Sequence, residues 1–491
     1  MPQDPSLKHK TITSTFWKFG ERLVTQIVGF IVSVILARLL MPEDFGVIVL
    51  VSVFVNICDK IVICGFATSL IQKKEADDCD FSTVLYFSLA MSGLLYLLLF
   101  FTAPFIASFY SEFDATELVN VIRVLGLSLF VLAINSVQHA YVSRNLQFKR
   151  YFWSVSGGTL ISAIVGLSMA YSGFGVWALV GQILTMSVAD TLILWFTVKW
   201  RPVLQFSLNR FKGLFSYGWK LFVASIIKTI YNDLRSLVIG KVYTPANLAF
   251  YNRGQSFPQL VDTNVIGTID SVFFPVLSKV QDSSASMKAM LRRVIKTSSF
   301  ILMPFLAGLA AVADPLIEIL LTNKWAPCVP FLQILSFSFL FSSVEIEDLQ
   351  AIKAIGRSDI VLRLEAIKKI VGIIILIISV PLGIKAIAYG MLVSQVISAM
   401  INAFVCKPLL GYSLKEQFKD IFPYLVISLL MFATIFLLSS FWALNPYLDF
   451  LTRVIVGIII YVGIMVVLKD DSLLYLNKTL NGYFRRTALD E

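Results

Sequence analysis

Fourteen long apolar runs joined by short polar connections leave this 491-residue chain few ways to fold. A helix needs about 20 mostly apolar residues to cross the hydrocarbon core of a bilayer. The runs lie near residues 14–39, 45–69, 82–108, 118–142, 153–171, 175–198, 214–240, 253–277, 293–313, 328–351, 361–380, 384–405, 421–440 and 449–468. Composition agrees: 57% of residues are apolar and 15% charged, with a mean hydropathy of +0.80. A soluble domain carries roughly 25% charged residues, so soluble and disordered readings are excluded. The expected fold class is an all-α polytopic membrane protein with about 14 transmembrane helices. Residues 1–13 are polar and the apolar stretch after them outruns a signal peptide, so the first span is expected to stay in the protein.

Charge placement orients the spans. Lys and Arg cluster in alternate connections, around residues 8–10, 73–74, 144–150, 199–212, 279–293, 353–363, 407–419 and 469–486. The opposite connections hold only Arg38, Lys241, Lys324 and Lys385. By the positive-inside rule both termini are expected in the cytoplasm. The net charge of +10 is thereby accounted for by loop placement, with no need of a nucleic-acid partner.

The sequence repeats itself at an offset of about 203 residues. Residues 38–44, after span 1, match 241–247, after span 7; Ser52, Asn56 and Asp59 fall on Gln255, Gln259 and Asp262. With one residue of slippage Trp17 and Lys18 meet Trp219 and Lys220, and Gly65 with Ser69 meets Gly267 with Ser271. Six spans separate the copies, so the halves share one orientation about an axis along the membrane normal. The expected domains are a six-helix lobe over 1–205, a pseudo-symmetric six-helix lobe over 206–410, and a helix pair with a cytoplasmic tail over 411–491.

Polar residues inside the spans are costly and mark candidate functional positions. Span 1 carries Lys18, Arg22, Gln26, Gly29 and Ser33 at steps of three or four, on one helical face. Span 7 repeats the pattern with Ser225, Lys228, Asn232 and Arg235. Span 2 adds Asn56, Asp59 and Lys60, and span 8 adds Gln255, Gln259, Asp262 and Asp270, with Arg253 at its mouth. Span 4 contributes Arg123, Asn135 and Gln138; span 10 contributes Glu345, Glu347 and Asp348. The polar helices are thus the first, second and fourth of each half, which predicts a water-filled cavity walled by symmetry-related helices. Arg22, Lys60, Lys228, Arg235, Arg253, Lys18, Gln26 and Asn232 are the candidate ligands of an anionic or polar headgroup. Asp59, Asp262, Asp270, Glu345, Glu347 and Asp348 would balance these cations or bind a coupling ion. Other readings stay open: Lys18 and Lys220 snorkel to the interface, Asp59–Lys60 and Asp233/Arg235 form structural ion pairs, and the span-10 acids are solvated.

The two histidines, His9 and His139, and the five cysteines lack metal-ligand spacing, so no metal, cofactor or catalytic centre is expected. Apart from Asp190, spans 3, 5, 6, 9 and 11 to 14 look poor in interior polar groups.

Residues 29–46 and 65–73 resemble the opening of bacterial polysaccharide flippases. Residues 251–255, 273–281 and 354–358 fit the same family, and the resemblance covers roughly the first 410 residues. It is to Wzx-type oligosaccharide flippases of the multidrug/oligosaccharidyl-lipid/polysaccharide superfamily, in the colanic-acid-exporter-like branch. The resemblance implies two helical lobes, a cationic lumen and alternating access in the bacterial inner membrane. It implies an undecaprenyl-pyrophosphate-linked oligosaccharide as substrate, with a polymerase and a chain-length regulator as partners in exopolysaccharide or lipopolysaccharide biosynthesis. Related lipid II flippases use spans 13 and 14 as a groove for the lipid tail, which suits the unduplicated hairpin. Coupling to H+ or Na+ stays open. The alternatives are an ion-coupled multidrug exporter of the same superfamily, against which the lysines and arginines argue, and a membrane glycan polymerase or ligase. The latter calls for a large outer loop with catalytic groups, and no outer loop here is large.

Overall fold

A computed structural model describes residues 5–280, 283–441 and 444–470; the basic tail positions Lys478, Arg485 and Arg486 lie outside them. The described residues are overwhelmingly helical and include no strand. The chain divides into two compact units, Met1–Ala249 and Phe250–Glu491. The first holds α1 (Pro5–Leu39), α2 (Pro42–Ile63), α3 (Phe66–Gln72), α4 (Asp78–Phe109), α5 (Ala115–Gly126), α6 (Ser128–Arg144), α7 (Phe148–Tyr171), α8 (Val176–Thr197) and α9 (Leu208–Val242). The boundary falls within α10 (Pro245–Lys279). The second continues with α11 (Ser284–Ala311), α12 (Ala313–Leu321), α13 (Val329–Phe339), α14 (Ser342–Ala354), α15 (Ser358–Ser379), α16 (Ile384–Leu410), α17 (Leu414–Ser439) and α18 (Pro446–Val467).

Eleven of the expected spans coincide with helical stretches long and apolar enough to cross a membrane. The other three fall on α9, α10 and α15, of 35, 35 and 22 residues, which are too polar to qualify by composition. Helix starts follow ordinary capping chemistry. Asp77 and Asp80 form a reciprocal capping box on α4, Ser413 and Glu416 one on α17, and Asp114 and Asn445 cap α5 and α18. Pro42 opens α2 and Pro245 opens α10, where a missing N–H costs nothing.

Three of the expected spans are broken. Span 2 turns at Cys64 and Gly65, both left-handed with φ of 45° and 71°. Span 4 breaks at Leu127, whose N–H bonds to Val124 O at 3.1 Å; span 10 breaks at Leu340, whose N–H bonds to Phe337 O at 3.3 Å. These are one-turn tightenings to i→i+3 bonding, and they occur in corresponding members of the repeat. The apolar run continues across both, so hydropathy alone does not reveal them.

Within the first unit α9 packs on α2, α3 and α4, although the repeat places it at the start of the second lobe. Two close approaches hold it there. A Cβ on Gly46 would sit 2.1 Å from Pro245 O, and one on Gly65 would sit 2.6 Å from Gly218 O. Ser69 Oγ donates to Leu214 O at 3.2 Å, and Lys241 Nζ donates to Phe109 O. In the second unit α17 lies along α11, with Tyr424, Met431 and Ile435 in a core shared with Leu291, Ile295 and Leu302. Large apolar side chains such as Phe101, Phe105, Phe404 and Ile377 stand exposed along the helices, as expected for surfaces in contact with lipid.

Because the Gly46 site meets backbone, which cannot move aside, Gly46→Ala is expected to destabilise the protein by about 1–3 kcal/mol. Thermal unfolding in detergent should show this as a Tm several degrees lower. Gly29→Ala, which meets nothing within 4 Å, serves as the neutral comparison.

Candidate functional site

In the first unit, three helices, α1, α2 and α9, carry the cations of the expected stripe. On α1, Arg22 and Gln26 are exposed on one face. Lys18 shares that face, but its ammonium pairs with Glu21 at 2.9 Å and lies 3.9 Å from the centroid of the Tyr151 ring on α7. It is therefore tied to its own unit, which differs from the snorkelling reading. On α9, Lys228 and Asn232 are exposed, while Arg235 is half-buried with its guanidinium 5.8 Å over the Tyr231 ring. α2 packs on α9, which brings Lys60 within electrostatic reach of Asp233. Asp59 lines a cleft of about 130 Å³ with Ser52, Asn56, Leu125, Ser128 and Ser187. On α2 and α9 two carboxylates, Asp59 and Asp233, accompany three cations, Lys60, Lys228 and Arg235, while α1 carries Lys18 and Arg22 with Glu21.

A second polar joint in this unit was only half visible in the sequence. Asp190 on α8 accepts from Asn135 Nδ2 at 2.9 Å and pairs with His139 Nε2 at 2.9 Å, both on α6. The His139 ring packs 4.6 Å from the Tyr151 ring. Asn135 and His139 are four residues apart, so they share a helix face; that Asp190 meets both is a product of α6–α8 packing.

An ionic cluster closes the end of this unit expected to face the cytoplasm. Arg210 at the start of α9 bonds Asp77 and lies 3.5 Å from Asp80, which Lys73 pairs at 2.6 Å. The Arg210 guanidinium holds the Asp77 carboxyl down at about 2. Arg144, counted in the sequence as a loop cation, donates to the carbonyls of Leu70, Ile71, Lys73 and Lys74 and so satisfies the C-terminal end of α3.

The second unit holds the acids. Asp262, 9% exposed, accepts from Ser342 Oγ, and Asp270 accepts from Gln350 Nε2 at 2.9 Å. Glu347 accepts from Ser298 Oγ at 3.4 Å and Asp348 from Gln417 Nε2 at 3.1 Å. Both are fully buried at 0% exposure, so the solvated reading of the span-10 acids does not describe them. Glu345 is half-buried and pairs with Lys368 at 2.8 Å, while Asn402 Nδ2 donates to its carbonyl at 2.8 Å. Arg253 stacks 5.3 Å above the Trp325 ring.

Lys368 itself escaped the sequence reading, which took span 11 as apolar. It is 6% exposed and also pairs with Glu365 at 2.6 Å. Arg453 on α18 is similar, bonded to Asp449 at 2.8 Å and to Ala311 O at 2.9 Å. Opposite charges at three- and four-residue spacing, Glu365/Lys368 and Asp449/Arg453, were the available signal.

A family model described as "Polysaccharide biosynthesis protein" matches residues 35–330. The chain belongs to that family. The lipopolysaccharide biosynthesis protein WzxC of Escherichia coli (strain K12) is 24% identical, over 86% of this chain and 86% of the relative. The succinoglycan biosynthesis transport protein ExoT of Rhizobium meliloti (strain 1021) is 23% identical, over 96% of this chain and 95% of the relative. Among solved structures, the lipid II flippase MurJ in its inward closed conformation matches with a TM-score of 0.73 at 16% identity, covering 92% of this chain and 97% of that one. An inward-facing multidrug resistance MATE family transporter of the MOP superfamily matches at 0.62 and 14% identity, covering 79% of this chain and 94% of that one. The polysaccharide biosynthesis family member described here is thus a multi-pass helical membrane protein with a MurJ- and MATE-like fold.

The Asp77 pairing carries a pH dependence of definite sign. A carboxyl held at about 2 in the fold, against about 4 unfolded, stabilises above the unfolded value. That contribution is lost as pH falls from about 4 toward about 2. Asp77→Asn keeps the helix cap but loses the charge. The difference in Tm between wild type and variant is expected to be largest near neutral pH and to shrink in that acid window. A gap that stayed constant across it would remove Arg210–Asp77 from the account.

Proposed function

We propose that this protein moves an undecaprenyl-pyrophosphate-linked oligosaccharide, a polysaccharide repeat unit, from the cytoplasmic to the outer leaflet of the bacterial inner membrane. The observation that carries this reading is the cationic stripe on membrane-length helices of a polysaccharide biosynthesis family member. A headgroup of pyrophosphate and sugars cannot enter hydrocarbon without losing its hydrogen bonds, at several kcal/mol per unpaired polar group and far more per charge. Arg22, Lys60, Lys228 and Arg235 supply charge-assisted donors for the pyrophosphate or for acidic sugars, with Gln26 and Asn232 as neutral donors beside them. The lipid tail stays in the bilayer, with α17 and α18 as its guide, and the two repeats give the headgroup access to each face in turn. Both termini lie in the cytoplasm on this reading, and a polymerase and chain-length regulator act on the delivered unit. The relatives named for lipopolysaccharide and succinoglycan biosynthesis support the substrate class.

The test is in proteoliposomes. Purified protein is expected to expose an undecaprenyl-pyrophosphate-linked glycan to an external lectin or glycosidase. Arg235→Glu removes a charge-assisted contact and adds a repulsive one, so the rate should fall roughly tenfold or more, with membrane insertion intact. Undiminished exposure in Arg235→Glu would discard the cationic stripe as the headgroup path. Efflux of a cationic dye without glycan exposure would favour the multidrug exporter.

A further inference from the structure

We propose that the cleft around Lys74 and Arg210, at the end of the first unit expected to face the cytoplasm, is a reception site that takes the diphosphate-sugar headgroup before it reaches the cationic stripe. The site stands on the geometry of this unit; the nature of its cargo rests on the flippase reading.

Two clefts share Lys73 and Arg210 as walls. The larger, about 680 Å³, lies between the α3–α4 connection and the start of α9, and among the residues around it only Ala76 is uncharged. The second, about 430 Å³, adds Gln72 and Asn209 and runs on to Gly213 and Leu214, one turn farther along α9. Small-molecule sites are typically of such a size, roughly 300–1,000 Å³, but mostly apolar. An apolar ligand has no surface to bury in the larger cleft, so its chemistry calls for a ligand that is polar throughout.

The charges are not used up on one another. Asp77 and Asp80 both meet the Nη1 end of Arg210, Asp80 at 3.5 Å, while Lys73 pairs with Asp80 at 2.6 Å. The Nε–Nη2 edge of Arg210 has no hydrogen bond or ion pair among the described residues, and neither has the Lys74 ammonium. Such an edge grips two oxygens of one phosphate side by side, and an ammonium beside it supplies a point charge. Glu75, Gln72 and Asn209 are exposed and equally unengaged, and they offer the acceptors and donors that sugar hydroxyls need. A phospholipid phosphate shares the anionic chemistry but leaves those three side chains without a role.

The frame is fixed in advance. Arg144 bonds the carbonyls of Leu70, Ile71, Lys73 and Lys74, the capping box of Asp77 and Asp80 sets the start of α4, and Ser69 Oγ joins α3 to Leu214 O at 3.2 Å. Little ordering is therefore needed on binding. Lys73, Lys74 and Arg210 face Glu75, Asp77 and Asp80, so the cleft is close to neutral. It holds a diphosphate by geometry, without a strong field, and a site on a path must be weak enough to release its cargo. Arg210 and Lys228 are five whole turns apart on α9, so they share a face at about 27 Å, and Arg235 follows about two turns on. A headgroup leaving the cleft thus moves along the helix that carries the stripe.

Lysine acetylation of the purified full-length protein, read residue by residue by mass spectrometry, reports occupancy. Undecaprenyl-pyrophosphate-linked glycan, and more weakly inorganic pyrophosphate, are expected to slow acetylation of Lys74 several-fold. Lys212, exposed and lining neither cleft, should be unaffected. Arg210→Lys keeps a charge against Asp77 but lacks the second donor edge, so it should lose most of that protection. In proteoliposomes Lys74→Gln and Arg210→Lys should raise the glycolipid density for half-maximal glycan exposure about tenfold and keep the maximal rate. Lys212→Gln should change neither. The proposal is overturned if Lys74 is not protected, if inorganic pyrophosphate alone protects it, if phosphatidylglycerol protects it as well as the glycolipid does, or if the variants lower only the maximal rate. Glycan exposure without protection of Lys74 would end the reception site and leave the flippase standing. Protection by the glycolipid with no glycan exposure in any vesicle would end the flippase reading and leave the headgroup site.

Discussion

A charge placed in a helix that lies in hydrocarbon must find a partner, a proton or water, and this requirement shapes both units of the protein. The first unit answers it with an exposed cationic face on α1 and α9, and it ties down the members that would otherwise float, as Glu21 and Tyr151 do for Lys18. The second unit answers it by burial. Glu345 is matched by Lys368, while Asp262, Glu347 and Asp348 are enclosed behind serine and glutamine donors.

Positioning depends on close packing at a few points. Gly46 and Gly65 let backbone meet backbone where α9 and the start of α10 cross α2 and α3, and no side chain larger than hydrogen fits there. α9 is thereby packed on α2, with Lys60 within electrostatic reach of Asp233. The ionic cluster of Arg210, Asp77, Asp80 and Lys73 secures the same helix at its start.

The sequence was most informative where a pattern repeats along one helix. The face of Lys228, Asn232 and Arg235 follows from the helical period, and the two-fold repeat placed Asp59 opposite Asp262 in the alignment. It was least informative where the partner sits on another helix. Asp190 was noted as an isolated polar residue, and only packing of α8 on α6 joins it to Asn135 and His139. Lys368 was passed over because it stands beside Lys369 at the start of a long apolar run, while its partner Glu345 lies on the helix before it. The breaks at Leu127 and Leu340 were invisible for a related reason, since a one-turn tightening changes hydrogen bonding and leaves hydropathy untouched.

The amino-acid sequence by itself determined that this chain is an all-helical membrane protein, which helices carry charge, and which face of each helix carries it. Those properties depend on the length of apolar runs and on the helical period, both local quantities. Only the tertiary structure decided which charges are matched. Arg210 went to Asp77, Lys368 to Glu345, and the deepest acids went to neutral donors, because such choices depend on which helices touch and how closely. Short-range electrostatics in a medium without water is decided at contact distance, and contact distance between helices is not written along any one of them.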